Sequence, residues 1–115
     1  VAGVGDLWTE DQDLDAALGD TRPDETCLLL SHNPDYTETI TDPRVGLVLS
    51  GHTHGGQVQV PFVGAPITPS FFGQKYLEGL VRTPCTQVYI SHGVGTIWPP
   101  VRINCRPEIV LIKLI

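Results

Sequence analysis

The sequence has no methionine, and only three of its 115 residues are cysteine: Cys27, Cys85 and Cys105. An odd number of cysteines without Cys-x-x-Cys spacing excludes a disulfide framework and a cysteine zinc site. We interpret Cys27, which lies in the apolar run TCLLL, as a small core residue. The cysteine pattern favours a reducing compartment. The location stays open between the cytoplasm and a membrane-associated position, because any signal or anchor would lie upstream of Val1.

Long hydrophobic runs and basic residues are also scarce. The longest apolar run, near the C-terminus, is interrupted by Glu108 and Lys113 and is too short to cross a bilayer. Lys and Arg number 7 against 13 Asp and Glu, which gives a formal net charge of -6. We expect no nucleic-acid partner, because phosphate neutralisation needs clustered basic residues.

The composition is that of a globular chain, with 41% hydrophobic and 17% charged residues. Because the sequence has no methionine and opens with Val1 in an apolar segment, we interpret residues 1–115 as part of a longer domain whose N-terminal portion is missing.

The acidic residues are unevenly distributed, since residues 1–42 carry 11 of the 13. This asymmetry indicates a solvated acidic surface or, alternatively, an anionic ligand bound by the more basic remainder.

Two continuous apolar runs, Thr26–Ser31 and Val45–Ser50, are typical of buried strands. The connection between them has a proline turn and helical character, so we expect parallel neighbours in one sheet. Val1–Gly5 resembles the end of another strand. Asp11 or Asp13 could cap a short helix that Gly19 closes.

The second half of the chain is rich in strand patterns. Gln57–Pro61 alternates in polarity, Gln74–Val81 and Gln87–Ser91 predict an antiparallel hairpin, and Glu108–Ile115 predicts a terminal strand. The loop 63–73 is rich in glycine and proline. The sequence therefore predicts an α/β or α+β fold with many strands and little helix.

Three of the four histidines, His32, His52 and His54, follow apolar strands in turns rich in glycine or proline. Loops at strand ends hold ligands in open α/β sheets. In an extended backbone, residues two apart point to the same side at a separation of about 6.5 Å, so His52 and His54 could face one pocket while Thr53 points away. Imidazoles in such a loop favour a metal or phosphate site over purely structural histidines.

The blocks SGHTHGGQ (50–57) and LLSHNPD (29–35) resemble the GHxH block and the preceding single-histidine block of the calcineurin-like metallophosphoesterases. The resemblance continues to a bacterial branch of that family through GQKY (73–76), SHGVGT (91–96), PVR (100–102) and PEI (107–109). It implies the C-terminal half of a four-layer α/β/β/α sandwich with a dinuclear metal centre between the sheets.

By that resemblance, His32 and His52 bind one divalent ion and His54 binds the other, with Gly55 and Gly56 as substrate-binding positions. The implied activity is hydrolysis of phosphomonoesters or phosphodiesters by two metal ions, and imidazole ligands do not choose among Mn, Fe, Zn and Ni. Some related enzymes act on lipid-linked nucleotide sugars, so a lipid-linked substrate or a membrane partner stays open.

The family's DxH, GDxxD and GNH[DE] blocks, which carry the other ligands and the proton-donating histidine, do not occur in these 115 residues. We therefore expect this chain alone to be inactive and to bind metal weakly. The alternative is a non-catalytic metal-binding or interaction module that retains the histidines.

Several further residues have weaker interpretations. His92 stands where relatives of this branch commonly have Arg, and we favour a structural role over a substrate contact. Lys75 and Arg102 are interpreted as solvated surface residues, with phosphate binding as the alternative. Gln57 could orient a ligating histidine. The aromatic residues are interpreted as packing groups, and Phe71 and Phe72 could instead contact an apolar part of a substrate.

Overall fold

The computed structural model describes all of residues 1–115. Its single sheet has five strands: β1 Ala2–Gly3, β2 Cys27–Leu30, β3 Val45–Ser50, β4 Gly79–Arg82 and β5 Gln87–Ile90. The strand order is β1-β2-β3-β5-β4; the first four in that order are mutually parallel, and β4 is antiparallel to β5. This mixed sheet confirms the α/β (α+β) class predicted from the sequence.

Helical structure is short and lies mainly before and between the strands. The one α-helix, α1, spans Leu14–Leu18, and 3-10 segments span Leu7–Thr9, Pro34–Thr39, His54–Gly56 and Gly73–Tyr76. The side chain of Asp13 accepts the N–H of Ala16 at 2.8 Å, which satisfies a free donor at the start of α1, and Gly19 ends the helix at φ 41°. None of these helices is long and apolar enough to cross a bilayer.

Two adjacent rows of side chains run across the sheet and lie on opposite faces. The first row, the covered row, consists of Leu29, Val48, Val88 and Val81. The second row, the open row, consists of Leu30, Leu49, Tyr89 and Leu80. Each row continues through four strands because paired residues in neighbouring strands point to the same side.

The hydrophobic core lies on the covered row. Leu18 of α1, Tyr36 and Ile40 from the segment after β2, and Tyr76 pack with the buried side chains of the sheet. Cys27 belongs to the same cluster, as the sequence indicated. No helix packs on the open row, where Leu30 is 47% and Leu80 is 54% exposed.

Two strand predictions in the second half of the chain, at residues 57–61 and 108–115, are wrong, and the predicted antiparallel hairpin is confirmed with a shorter first strand. Residues 57–61 make only isolated bridges, from Val58 to Ile103 and from Val60 to Gly64, since their neighbours are loops. The predicted hairpin is shorter, because Gly73–Tyr76 is a 3-10 turn and the antiparallel pairing begins at Gly79.

The predicted terminal strand, residues 108–115, has no ladder. Its only backbone hydrogen bond joins Glu108 N–H to the Gly93 carbonyl at 3.0 Å. Val110 and Ile112 border the same cavity as Leu49 and Tyr89 of the open row. The apolar pattern is present, but no strand edge lies beside it to accept its backbone groups.

Candidate metal centre

The site begins where two parallel strands end side by side. His32 comes just after β2 and His52 just after β3, so both stand at the carboxyl edge of the sheet. Main-chain pairing continues past the strands, because Gly51 N–H donates to the His32 carbonyl at 3.2 Å. This edge is the usual ligand position in an open α/β sheet.

The two imidazoles are in direct contact. Nδ1 of His52 lies 3.0 Å from Nε2 of His32, and the ring centroids are 4.8 Å apart at an interplanar angle of 75°. The structure therefore brings together two of the three histidines that the sequence singled out.

The separation of these nitrogens fits two ligands of one cation. Two nitrogens about 2.1 Å from one ion lie about 3.0 Å apart at a right angle and about 3.4 Å apart at the tetrahedral angle. The observed 3.0 Å matches the right-angle arrangement, and in the metal-free chain it is also the length of a hydrogen bond between the two rings. His32 and His52 thus fit two adjacent positions on a single ion.

The surroundings of His52 favour the neutral imidazole. Burial, and next the neighbouring His32, lower the pKa of His52 below its ordinary value, although Asp6, the Pro69 carbonyl and Asp35 act in the opposite direction. Nε2 of His52 is buried without a hydrogen-bond partner of acceptable geometry. Only the neutral ring has a lone pair for a metal, so the environment favours the ligating form.

His54 has contacts of its own. His52 has φ 69° and His54 has φ 51°, so neither residue has the extended backbone that the sequence analysis assumed for this pair. Thr53, between them, is buried, and its hydroxyl donates to the Leu77 carbonyl at 2.9 Å. Nδ1 of His54 lies 3.2 Å from the Gly95 carbonyl.

No hydrogen bond or ring contact joins His54 to the His32–His52 pair. In this chain, no three side chains of His, Cys, Asp or Glu come together in a way that could hold an ion. The pair fits part of a metal centre, and further ligands would have to come from outside these residues.

Gly55 and Gly56 are both required by packing. A Cβ at Gly55 would lie 2.5 Å from Sγ of Cys105, and one at Gly56 would clash with Ala65. Both residues also have positive φ, at 61° and 73°. The N–H of Gly56 already donates to the Thr53 carbonyl at 2.8 Å, so it is not a free phosphate donor.

The other histidine, His92, has partners at both ring nitrogens. Nε2 lies 2.6 Å from Oε2 of Glu78, and Nδ1 lies 3.1 Å from the Arg106 carbonyl. These contacts support the structural interpretation of His92. The Gln57 side chain is buried and bonds the Ile97 carbonyl and N–H rather than a histidine ring, while its main-chain N–H donates to the His54 carbonyl at 3.1 Å.

The two basic candidates are not free surface groups. Lys75 pairs with Glu38, whose carboxylate also accepts the Tyr76 hydroxyl at 2.5 Å. These bonds lower the pKa of Glu38. Arg102 is half-buried and donates to main-chain carbonyls, with His54 among them at 3.1 Å. The interpretation as a solvated residue is therefore wrong for Arg102, whereas Lys75 is exposed as expected.

Two residues near the pair were not singled out as site residues. Trp8 lies edge-on to His52 with ring centroids 4.6 Å apart. The buried carboxylate of Asp35 accepts the Ser70 hydroxyl at 2.6 Å and the Phe71 N–H at 2.7 Å, so it holds the loop 63–73 beside the site. Asp35 directly follows His32-Asn33-Pro34, which is the one sequence signal that distinguishes it from the other acidic residues.

The chain is similar along its whole length to curated metallophosphoesterases. It is 40% identical to the uncharacterized metallophosphoesterase YkuE of Bacillus subtilis over 114 residues, which are 99% of this chain and 40% of that protein. It is 38% identical to phosphodiesterase YaeI of Escherichia coli, over 100% of this chain and 41% of that protein. UDP-2,3-diacylglucosamine pyrophosphatase LpxG of Chlamydia trachomatis is 32% identical over 98% of this chain and 36% of its own length.

No family model and no solved structure matches the chain. The curated matches confirm the resemblance seen in the sequence, and the chain is related to the metallophosphoesterases. Within them it is similar to the branch that includes YkuE and YaeI. The chain spans about two fifths of the length of these two relatives, at 40% and 41%.

Proposed function

We propose that this chain is the C-terminal part of a metal-dependent phosphoester hydrolase domain, in which His32 and His52 bind one divalent cation and His54 binds a second. The observation that carries the proposal is the 3.0 Å separation of two imidazole nitrogens at the carboxyl edge of parallel strands. The similarity to proteins named as phosphoesterases supports it independently. Mn, Fe, Zn and Ni all suit these ligands.

Two bound cations would hold the phosphate oxygens and lower the pKa of a water molecule for attack on phosphorus. This chain's own contribution is to position the ligands. The ends of β2 and β3 place His32 and His52 side by side, and burial lowers the pKa of His52, which favours its neutral form. The remaining ligands and the proton donor would come from the longer chain that the relatives possess, so we expect these 115 residues alone to bind metal weakly and to lack turnover.

The substrate would be a phosphomonoester or a phosphodiester, and the structure favours one with an apolar part. A groove of about 710 Å³ is lined by the apolar side chains of Leu7, Trp8, Phe71 and Phe72 and by five polar residues, of which Glu10, Asp35 and Glu38 are acidic. Trp8 also contacts His52, so this groove lies beside the proposed metal position. The relative LpxG is named as a pyrophosphatase of UDP-2,3-diacylglucosamine, a diacylated compound, and this name supports a lipid-linked substrate for this protein.

Paramagnetic Mn²⁺ gives a direct test of the ligand assignment. Titration into ¹⁵N-labelled chain should broaden the amide signals around His32 and His52 before those of the acidic segment 10–15. His52→Ala should abolish that selective broadening, whereas His92→Ala should retain it, because the ring of His92 bonds Glu78 and Arg106. Broadening confined to the acidic segment would show that the pair is not a metal site.

Hydrolysis of bis(p-nitrophenyl) phosphate tests the activity. We expect turnover from the protein at the length of its relatives in the presence of Mn²⁺ or Zn²⁺, and none from the 115-residue chain. Robust turnover by the short chain would contradict the proposal that it lacks essential ligands.

A non-catalytic metal-binding or interaction module is the second candidate. It is favoured by the finding that no three ligating side chains of this chain converge on one point. Saturable Mn²⁺ binding without hydrolysis by the longer protein would support the module and contradict the hydrolase.

A further inference from the structure

One guanidinium connects the loops around His54. Arg102 donates from Nη1 to the His54 carbonyl at 3.1 Å and from Nη2 to the carbonyls of His92 at 2.9 Å and Gly95 at 2.6 Å. The planar fork of arginine suits such multiple donation, and hydrogen bonds from a charged donor are stronger than neutral ones.

Arg102 differs from the other paired cations of the chain in its partners. Arg22, Arg44 and Lys75 each pair with a nearby carboxylate. Arg102 makes no salt bridge: its Nη1 and Nη2 donate to main-chain carbonyls and to Sγ of Cys105, and its buried Nε has no partner. Its charge therefore serves to organise the backbone rather than to balance an acidic side chain.

The carbonyl of Gly95 is shared between Arg102 and the ring of His54. It lies 3.2 Å from Nδ1 of His54 while it accepts from Nη2 of Arg102. Because a carbonyl oxygen can only accept, Nδ1 must carry the proton for this hydrogen bond to form. Nε2 of His54 then presents a lone pair, which is the arrangement a ligating histidine needs.

The backbone of His54 also needs external support. Its φ of 51° is in a region that non-glycine residues rarely occupy and that costs conformational free energy. The His54 carbonyl is held by Arg102 on one side and by Sγ of Cys105, at 3.3 Å, on the other. The same guanidinium thus constrains both the main chain and the ring of His54.

We propose that Arg102 is the positioning residue of His54: it holds the Gly95 carbonyl that fixes the Nδ1–H tautomer and so directs Nε2 toward a ligand. The part of this inference that concerns ligation rests on the function proposed above. The part that concerns the tautomer stands on the contacts of the metal-free chain.

The tautomer is measured by ¹⁵N NMR of the metal-free chain at about pH 8, where ordinary histidines are neutral. In the wild type we expect His54 to be mainly Nδ1–H. In Arg102→Gln we expect a shift toward the Nε2–H form that free histidine prefers in water, and Arg102→Lys should be intermediate because an ammonium lacks the planar fork. Arg82→Gln is the matched control, since Arg82 is exposed and should leave His54 unchanged.

Three results would overturn the proposal: a wild type that is mainly Nε2–H, an Arg102→Gln variant that folds with the wild-type tautomer, or an Arg102→Lys variant indistinguishable from the wild type. If Arg102→Gln does not fold, the His54 tautomer in Arg102→Lys is compared with that in the control Arg82→Gln, and this comparison alone tests the proposal. Signals of the core residues Leu29 and Val48 report folding in each variant.

Mn²⁺ affinity separates this proposal from the proposed function. We expect Arg102→Gln to weaken binding about 10-fold, as loss of a group that orients a ligand typically does. If the wild type has the Nδ1–H tautomer but the protein at the length of its relatives binds no Mn²⁺, the hydrolase proposal fails and the positioning by Arg102 stands. If Mn²⁺ binds equally well to the wild type and to Arg102→Gln while the His54 tautomer differs between them, the proposed link between Arg102 and metal ligation is wrong.

Discussion

The two rows of the sheet have the same apolar character and opposite environments. In the covered row, Leu29, Val48 and Val88 are fully buried, whereas Leu30 in the open row is half-exposed. Parallel strands are normally covered on both faces, which is why they read as continuous apolar runs. The comparison teaches that such a run identifies a strand but does not say which of its faces this chain covers. The four-layer sandwich implied by the family would cover the open row, and that part of the fold stays a prediction.

The largest effect should come from a pair of truncations in one strand. Leu29→Ala removes a fully buried side chain and should lower the free energy of unfolding by about 2–5 kcal/mol. Leu30→Ala, its neighbour in the open row, should cost less than about 1 kcal/mol, since surface changes have small effects. Urea denaturation of both variants measures the contrast. Equal losses would mean that the two rows are not differently covered in solution.

A second pair tests the polar edge of the core. Tyr76 is fully buried and donates to Glu38, so Tyr76→Phe should cost about 1–2 kcal/mol for the lost hydrogen bond and the carboxylate left without it. Tyr89→Phe in the open row should be nearly neutral, because the Tyr89 hydroxyl has no such role. Thermal unfolding compares them, and a costly Tyr89→Phe would indicate a partner for the open row.

A third pair exchanges apolar for polar side chains on the antiparallel strand. Leu80→Thr should change the free energy of unfolding by no more than about 0.5 kcal/mol, as expected for an exposed position. It should also reduce binding of the dye ANS. Val81→Thr, on the other face and partly buried against the core, should cost about 1 kcal/mol and leave dye binding unchanged. Unaltered dye binding in Leu80→Thr would show that the open row is not the dye's site.

The smallest effect should be a pH dependence of the free energy of unfolding that comes from Glu38, which bonds the core residue Tyr76. Hydrogen bonds from Lys75 and Tyr76 lower the pKa of Glu38 below 4.5, so its ionised form stabilises the folded state. That contribution is complete above the unfolded pKa and is lost as the pH falls through the folded one. Glu38→Gln should therefore lower the urea midpoint at pH 7, and the difference should shrink at about pH 3. Glu10→Gln is the exposed control, and a pH-independent difference would contradict the linkage.

The strands that the sequence predicted best are those with local signals. Leu29 and Val48 lie in uninterrupted apolar runs, and the turn residues after them mark where β2 and β3 end. The segments 57–61 and 108–115 have equally good patterns but no neighbouring edge, and a ladder needs a partner that no local pattern supplies. Strand formation there depends on tertiary context.

The candidate site likewise has one part that local sequence signals predict and another that depends on tertiary context. The contact of His32 with His52 follows from the ends of two parallel strands, so it could be predicted from the sequence. The direction of His54 depends on a left-handed backbone, and the role of Arg102 depends on carbonyls from separate loops. Neither feature leaves a periodic signal in the sequence.

The left-handed backbone at His52 and His54 has one more consequence. Glycine occupies this conformation without the steric cost that any side chain brings, so a sequence selected for folding alone would place glycine at both positions. The chain instead keeps two bulky rings where its backbone would be more relaxed without them. In such a loop, a substitution to glycine would raise thermostability but remove a side chain that the proposed chemistry needs. Stabilising substitutions found there would therefore signal lost function.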